Sequence, residues 1–112
     1  MMKKTDKHFR FMARQFTKNS MLYTEMIHSN AILKGDADKL LKYHNSEHPV
    51  GLQLGGSDPR SLAEAAIIGE DYGYDEINLN VGCPSKKVKS GNFGVFLMKN
   101  VKLLSSCINE VK

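Results

Sequence analysis

Three short apolar segments, residues 21–27, 49–54 and 75–81, begin about 27 residues apart, and stretches of helical periodicity lie before, between and after them. Parallel strands need a crossover of a dozen residues or more, and an interval of this length holds one strand, one helix and two short loops. The alternation therefore argues for βα units and a parallel sheet. The third segment is the clearest: Ile77, Leu79 and Val81 alternate with Glu76, Asn78 and Asn80.

The helical stretches have readable ends. Residues 6–18 place Phe9, Met12, Ala13 and Phe16 on one expected buried face, with Thr5 or Asp6 as N-cap and Lys7, Arg10, Arg14 and Lys18 as a solvated basic surface. A weaker helical stretch covers residues 31–43, broken near Gly35. The helix predicted over 59–72 opens on Pro59, whose missing N–H is not needed there, and closes on Gly73. Its face of Leu62, Ala65, Ala66 and Gly69 suits close packing on a sheet. In the last helix Leu97, Val101, Leu104, Ile108 and Val111 form one stripe.

Three strands cannot close a barrel, and the first helix has no strand before it. With one strand supplied at the front, the pattern becomes four βα units, half of a fold that needs about 250 residues. The expected architecture is α/β: a partial (β/α)8 TIM barrel of about four βα units, its first strand largely missing, with residues 1–112 as the N-terminal half of the barrel. The 112 residues carry sixteen Lys and Arg against twelve Asp and Glu, a net charge of +4. That leans toward anionic partners without the density of a dedicated nucleic-acid arm. No apolar stretch follows the first residues, and no run approaches the roughly 18 residues of a membrane span, so the expected location is the cytoplasm, with no membrane partner.

Ligands of parallel α/β proteins bind at the carboxyl ends of the strands. Those ends carry Glu25-Met26, Gln53 to Gly56, and Asn78 to Pro84. Gln53, Asn78 and Asn80 either satisfy one another or line a ligand pocket. Cys83 is held between Gly82 and Pro84 just past a strand end, where a thiol can act as nucleophile or proton donor. The other reading of Cys83 is an inert, half-buried thiol. Cys107 reads as packing beside the last helical stripe. The two cysteines form no CxxC and no zinc spacing, so no metal is expected. Lys86, Lys87 and Lys89 crowd the loop after Cys83, either as a solvated loop or as a grip on phosphates. His8, His28, His44 and His48 show no metal spacing and no paired acid. No GxGxxG or Walker loop is present.

The string from Leu79 to Ser85, with Val88, Ser90-Gly91 and Phe93-Gly94, closely resembles the signature of the tRNA-dihydrouridine synthases. The segments from Leu22 to Met26, Leu52 to Pro59 and Gly69 to Asn78 are similar to the A-type branch. The resemblance implies a flavoprotein with a (β/α)8 barrel followed by a helical tRNA-binding domain, the latter and the C-terminal barrel half being absent here. It further implies FMN as cofactor, NADPH as reductant and tRNA as substrate, the C5–C6 double bond of specific uridines being reduced to dihydrouridine. By the same resemblance Cys83 is the proton donor, Gln53 and Met2 contact the flavin, and Asn80, Lys86 and Lys87 meet the tRNA. Family members begin with a strand ending in a proline-methionine turn, whereas this chain starts at Met1-Met2; Lys3-Lys4 replace an expected Asp-Trp pair and Val95-Phe96 an Ala-Cys pair. The alternative readings are a non-catalytic half-barrel that binds or assembles with a partner, and an inactive truncated gene product.

Overall fold

The computed structural model describes residues 4–83, 94 and 100–112. Four strand segments form one parallel sheet: β1 (Leu22–Tyr23), β2 (Ile27–His28), β3 (Val50–Gly55) and β4 (Glu76–Leu79). Gly51 pairs with both Tyr23 and Glu76, and Leu54 with both Ile27 and Leu79. A strand has only two edges, so β1 and β2 share one edge of β3 and β4 takes the other. The three expected strands are therefore all present, side by side and parallel, and the chain is α/β as the spacing required.

The first expected strand is split. Leu22 faces Val50 but Ile27 faces Leu54, so one extra residue is accommodated between β1 and β2. This is a bulge. Thr24 repairs the ladder there: its N–H donates to the Gly51 carbonyl at 2.9 Å, its hydroxyl oxygen accepts the Gln53 N–H at 3.0 Å, and the same hydroxyl donates to the Glu25 carbonyl. Thr24 thereby gives partners to the Gly51 and Glu25 carbonyls and to the Gln53 N–H in this buried position.

Helix α1 (Lys7–Arg14) precedes the sheet. Helices α2 (Ser29–Lys34) and α3 (Ala37–Leu41), split at Gly35 as expected, link β2 to β3 through a 3-10 turn at Asn45–Glu47. Helix α4 (Pro59–Asp71) follows β3, with Pro59 in its first turn and the Asp58 carboxylate accepting the Ser61 N–H. Gly73, at φ 86°, takes the left-handed turn that ends this helix region. Helix α5 (Val101–Val111) packs on α4.

One face of the sheet is covered and apolar. Val50, Leu52 and Leu54 join Ile32, Leu41, Leu62, Ala65 and Cys107 in a single buried cluster, with Ile77 and Leu79 packed against it. The close approach of α4 rests on Gly69, where a Cβ would stand 2.5 Å from a Leu52 methyl and 3.0 Å from one of Ile77. Each fully buried leucine contributes about 1.5–3 kcal/mol.

Two helix faces differ from the expected ones. In α1 the arginines are buried, Arg10 at 4% and Arg14 at 8% exposure, whereas Phe9 and Met12 are exposed, as is Phe16 just past the helix, at 86%. The basic surface is thus partly an interior. Arg10 Nε donates to Glu47 Oε1 at 2.6 Å, and Arg14 Nη2 donates to the carbonyls of Glu47 and Pro49 at 2.8 and 3.0 Å. A buried carboxylate with two main-chain carbonyls outweighs the pull of the phenylalanines on the helix orientation. In α5 the inward face centres on fully buried Cys107, with Leu103, Leu104 and Val111 beside it, while Val101 and Ile108 of the expected stripe are exposed. Leu97 lies outside the described residues.

Candidate active site at the strand ends

The other face of the sheet is polar because its side chains are the other half of each alternation. Glu76, Asn78 and Asn80 stand along β4 and its extension, where the Asn80 N–H donates to the Leu54 carbonyl at 2.8 Å. Gln53 stands opposite Asn78 in register. Nearer the strand starts, the Tyr23 ring lies over Gly51 and its hydroxyl donates to Glu76 Oε1 at 2.9 Å. That bond holds the Tyr23 hydroxyl proton and raises its pKa above the ordinary tyrosine range.

At the carboxyl ends the amides join into a chain. Gln53 Nε2 donates to Asn78 Oδ1 at 3.1 Å, and Asn80 Nδ2 donates to Gln53 Oε1 at 3.0 Å. Asn80 Oδ1 then accepts the backbone N–H groups of Gly82 at 3.2 Å and Cys83 at 2.9 Å. Gln53, Asn78 and Asn80 therefore do satisfy one another, and the same bonds fix the backbone that presents half-buried Cys83. The Asx turn made by Asn80 is local and comes from residue type alone. The Gln53 link needs the β3–β4 register and was legible only as a shared strand-end position.

Capacity remains after these bonds. A primary amide has two N–H donors and two lone pairs, and the chain from Asn78 to Asn80 uses one of each on Gln53. Gln53 also lines an open cavity of about 310 Å3 with Met21, Leu22, Tyr23 and Thr24, bounded by Phe9 and Arg10 of α1. An amide of this kind beside an apolar and aromatic wall fits the rim of a heteroaromatic ring that bears both donors and acceptors, as an isoalloxazine does. Met2, Lys86 and Lys87, together with the rest of the lysine loop, lie outside the described residues.

Cys107 has a different environment. Its Sγ donates to the Ser57 carbonyl at 3.7 Å, and burial pushes its pKa up. That suits a packed thiol and not a reactive one. The histidines include one pair that sequence spacing did not reveal: His48 Nδ1 lies 2.7 Å from Asp75 Oδ2, which also accepts the Val50 N–H at 2.7 Å. This pair sits at the starts of β3 and β4, opposite the Cys83 end. Among the described residues, no group of three or more His, Cys, Asp and Glu is placed to hold a metal ion, and no helix is long and apolar enough to cross a membrane.

The arrangement is that of a parallel α/β protein whose polar site lies at the carboxyl ends of its strands, beside a cysteine. Residues 1–112 match the family model of dihydrouridine synthase (Dus), and the chain belongs to this family. It is similar to the tRNA-dihydrouridine(20/20a) synthase of Synechocystis sp. (strain ATCC 27184 / PCC 6803 / Kazusa), at 56% identity over 112 residues, which is all of this chain and 34% of the relative. It is also similar to the proteins of that name from Escherichia coli (strain K12), at 51% identity over 96% of this chain and 31% of the relative, and from Xanthomonas axonopodis pv. citri (strain 306), at 49% over 96% and 32%. The chain spans about a third of the length of the curated relatives it matches.

Proposed function

We propose that this chain is the cysteine-bearing part of a cytoplasmic tRNA-dihydrouridine synthase, comprising four βα units of a (β/α)8 barrel. Residues 1–112 form the N-terminal barrel half, and the enzyme reduces specific uridines of tRNA. The observation that carries the reading is the hydrogen-bonded chain from Asn78 through Gln53 and Asn80 to the Cys83 N–H, in a member of this family. It puts a candidate cofactor contact and a candidate acid at one end of one sheet.

Gln53 would hold FMN through the donor and the acceptor that its amide has to spare, and Met2 would be a second contact for the cofactor. Bound FMN, reduced by NADPH, supplies the hydride that uracil C6 receives. Hydride addition at C6 leaves carbanion character at C5. The Cys83 thiol donates its proton there and becomes a thiolate, which solvent reprotonates. Asn80 contributes twice, holding the Cys83 backbone through Oδ1 and standing beside the base. A uracil can reach this position only when extruded from the RNA stack. Lys86 and Lys87 meet the tRNA backbone as phosphate contacts, which position without reading sequence.

The experiment is a chimera in which this chain replaces the matching third of the Synechocystis relative. Dihydrouridine formed in an unmodified tRNA transcript is measured by mass spectrometry with FMN and NADPH present. Activity in the chimera, lost by 100-fold or more in its Cys83→Ala version, is the expected result, since general acid catalysis contributes about 10²–10⁴-fold. A chimera that folds, binds FMN and is indifferent to Cys83→Ala overturns the assignment of the acid.

A further inference from the structure

The hydrogen-bonded chain at the strand ends has a direction, and that direction is imposed from one end. The backbone N–H groups of Gly82 and Cys83 can only donate, so the atom of Asn80 that faces them must be its oxygen. The Asn80 NH2 group is thereby turned toward Gln53, which must answer with its own oxygen. The Gln53 NH2 group is left facing Asn78, and Asn78 must present Oδ1 to it. Each amide orientation follows from the previous one, and Asn78 is the last acceptor. Meanwhile the Gln53 main chain is fixed independently, through its N–H to the Thr24 hydroxyl.

We propose that Asn78 is a positioning residue: by accepting from Gln53 Nε2 it completes the chain that starts at the Cys83 N–H, and so holds the Gln53 amide in the orientation that Asn80 imposes. The proposal rests on the functional reading above for its consequence, cofactor binding, but not for its geometry. It couples the two ends of the site, since any change in the loop carrying Cys83 that turns Asn80 over also turns Gln53 over.

The direction makes the two asparagines unequal toward the same substitution. Asn78→Asp keeps an acceptor where one is needed and preserves the order. Asn80→Asp still accepts from Gly82 and Cys83 but offers Gln53 an acceptor in place of a donor, so Gln53 must rotate and turn its NH2 group toward residue 80. With Asp at both positions, neither Gln53 orientation satisfies both neighbours.

The test uses the 112-residue chain labelled with nitrogen-15, with the Gln53 side-chain NH2 signals assigned by their loss in Gln53→Met. In Asn78→Leu these signals should move to the position of a solvent-exposed glutamine, whereas in Asn78→Asp they should keep their hydrogen-bonded shift and their cross-peaks to residue 78. In Asn80→Asp the cross-peaks should transfer to residue 80. If Asn78→Leu does not fold, Asn78→Ser, too short to reach Gln53, takes its place. FMN titration followed by flavin fluorescence should show affinity lowered roughly three- to tenfold in Asn78→Leu, the factor of one net hydrogen bond, and recovered in Asn78→Asp. Unmoved Gln53 signals in Asn78→Leu, or loss of them in Asn78→Asp, overturn the proposal. Absence of FMN binding by the unsubstituted chain and by the chimera counts against the functional reading, and the amide spectra still decide the role of Asn78.

Discussion

The two ends of the sheet are both polar, and they are built on opposite principles. At the strand starts the groups are charged, and Arg10, Arg14 and Glu47 are buried. Glu47 is fully buried, and its side chain accepts from Arg10 Nε and from the His44 N–H, both at 2.6 Å, while its carbonyl accepts from Arg14. Asp75 binds His48 and the Val50 N–H with one oxygen. At the carboxyl ends the groups are neutral amides, half-buried, with donors and acceptors to spare. A buried carboxylate must be paired, so Glu47 with Arg10 and Arg14 locks α1 and the turn at Asn45–Glu47 to the sheet. Amides tolerate partial satisfaction, so the other end can hold its shape and still accept a ligand.

If that division is right, substitutions at the charged end change stability and those at the amide end change chemistry. The largest expected effect is from Glu47→Ala, which leaves buried Arg10 and the His44 N–H without their carboxylate. Urea unfolding should show a loss of about 3–5 kcal/mol. Replacing Arg10 and Glu47 together by methionine and leucine should cost much less than the single change, because no buried charge is then left alone. A single variant and a double variant of equal cost would break the comparison.

Gly69→Ala comes next. The new methyl meets Leu52 and Ile77 well inside contact distance, and overpacking of this kind costs about 1–3 kcal/mol. The loss should appear in the unfolding midpoint with the alkylation rate of Cys83 by iodoacetamide unchanged.

The acid limb of stability gives a smaller effect with a definite sign. The His48 ring and the Val50 N–H hold the Asp75 pKa below the usual carboxylate value of 3.8. A depressed folded pKa contributes stability that is fully present above the unfolded value and is lost as pH falls through the folded one. The window therefore lies below about pH 4. Asp75 is partly exposed, so the effect is modest. Unfolding midpoints measured from pH 6 down to pH 2 should fall less steeply in Asp75→Asn than in the unsubstituted chain, and a steeper fall would sink this account.

The same division explains what could be read from the sequence. The neutral features are local. Pro59 and Gly73 mark both ends of α4, alternation marks β4, and the strand-end position of Gln53, Asn78 and Asn80 singles them out from the sequence alone. The charged end was read wrongly because its partners are remote: Arg10 and Glu47 lie 37 positions apart, and His48 and Asp75 lie 27 apart. Helical periodicity weighs Phe16 as inward and Arg14 as outward, and it cannot register a buried carboxylate that reverses the choice. The bulge at Thr24 escaped for a related reason. One extra residue in β1–β2 relative to β3 leaves the composition of the segment unchanged and shows only in the pairing.

The smallest structural effect is expected at the residue on which the proposed chemistry depends most. Cys83 is tied to the chain of amides through its backbone N–H, donated to Asn80 Oδ1. Replacing the thiol by a methyl therefore keeps the Asx turn, and Cys83→Ala should change the unfolding free energy by no more than about 0.5 kcal/mol, as at a surface position. Cys107→Ala is the control from the other end of the argument. It removes a fully buried side chain from the core and should cost about 1 kcal/mol or more. The two cysteines thus exchange rank between assays: Cys107 governs the unfolding midpoint, and Cys83 governs dihydrouridine formation in the chimera. A Cys83→Ala chain destabilised as much as Cys107→Ala would mean that Cys83 belongs to the core rather than to the site.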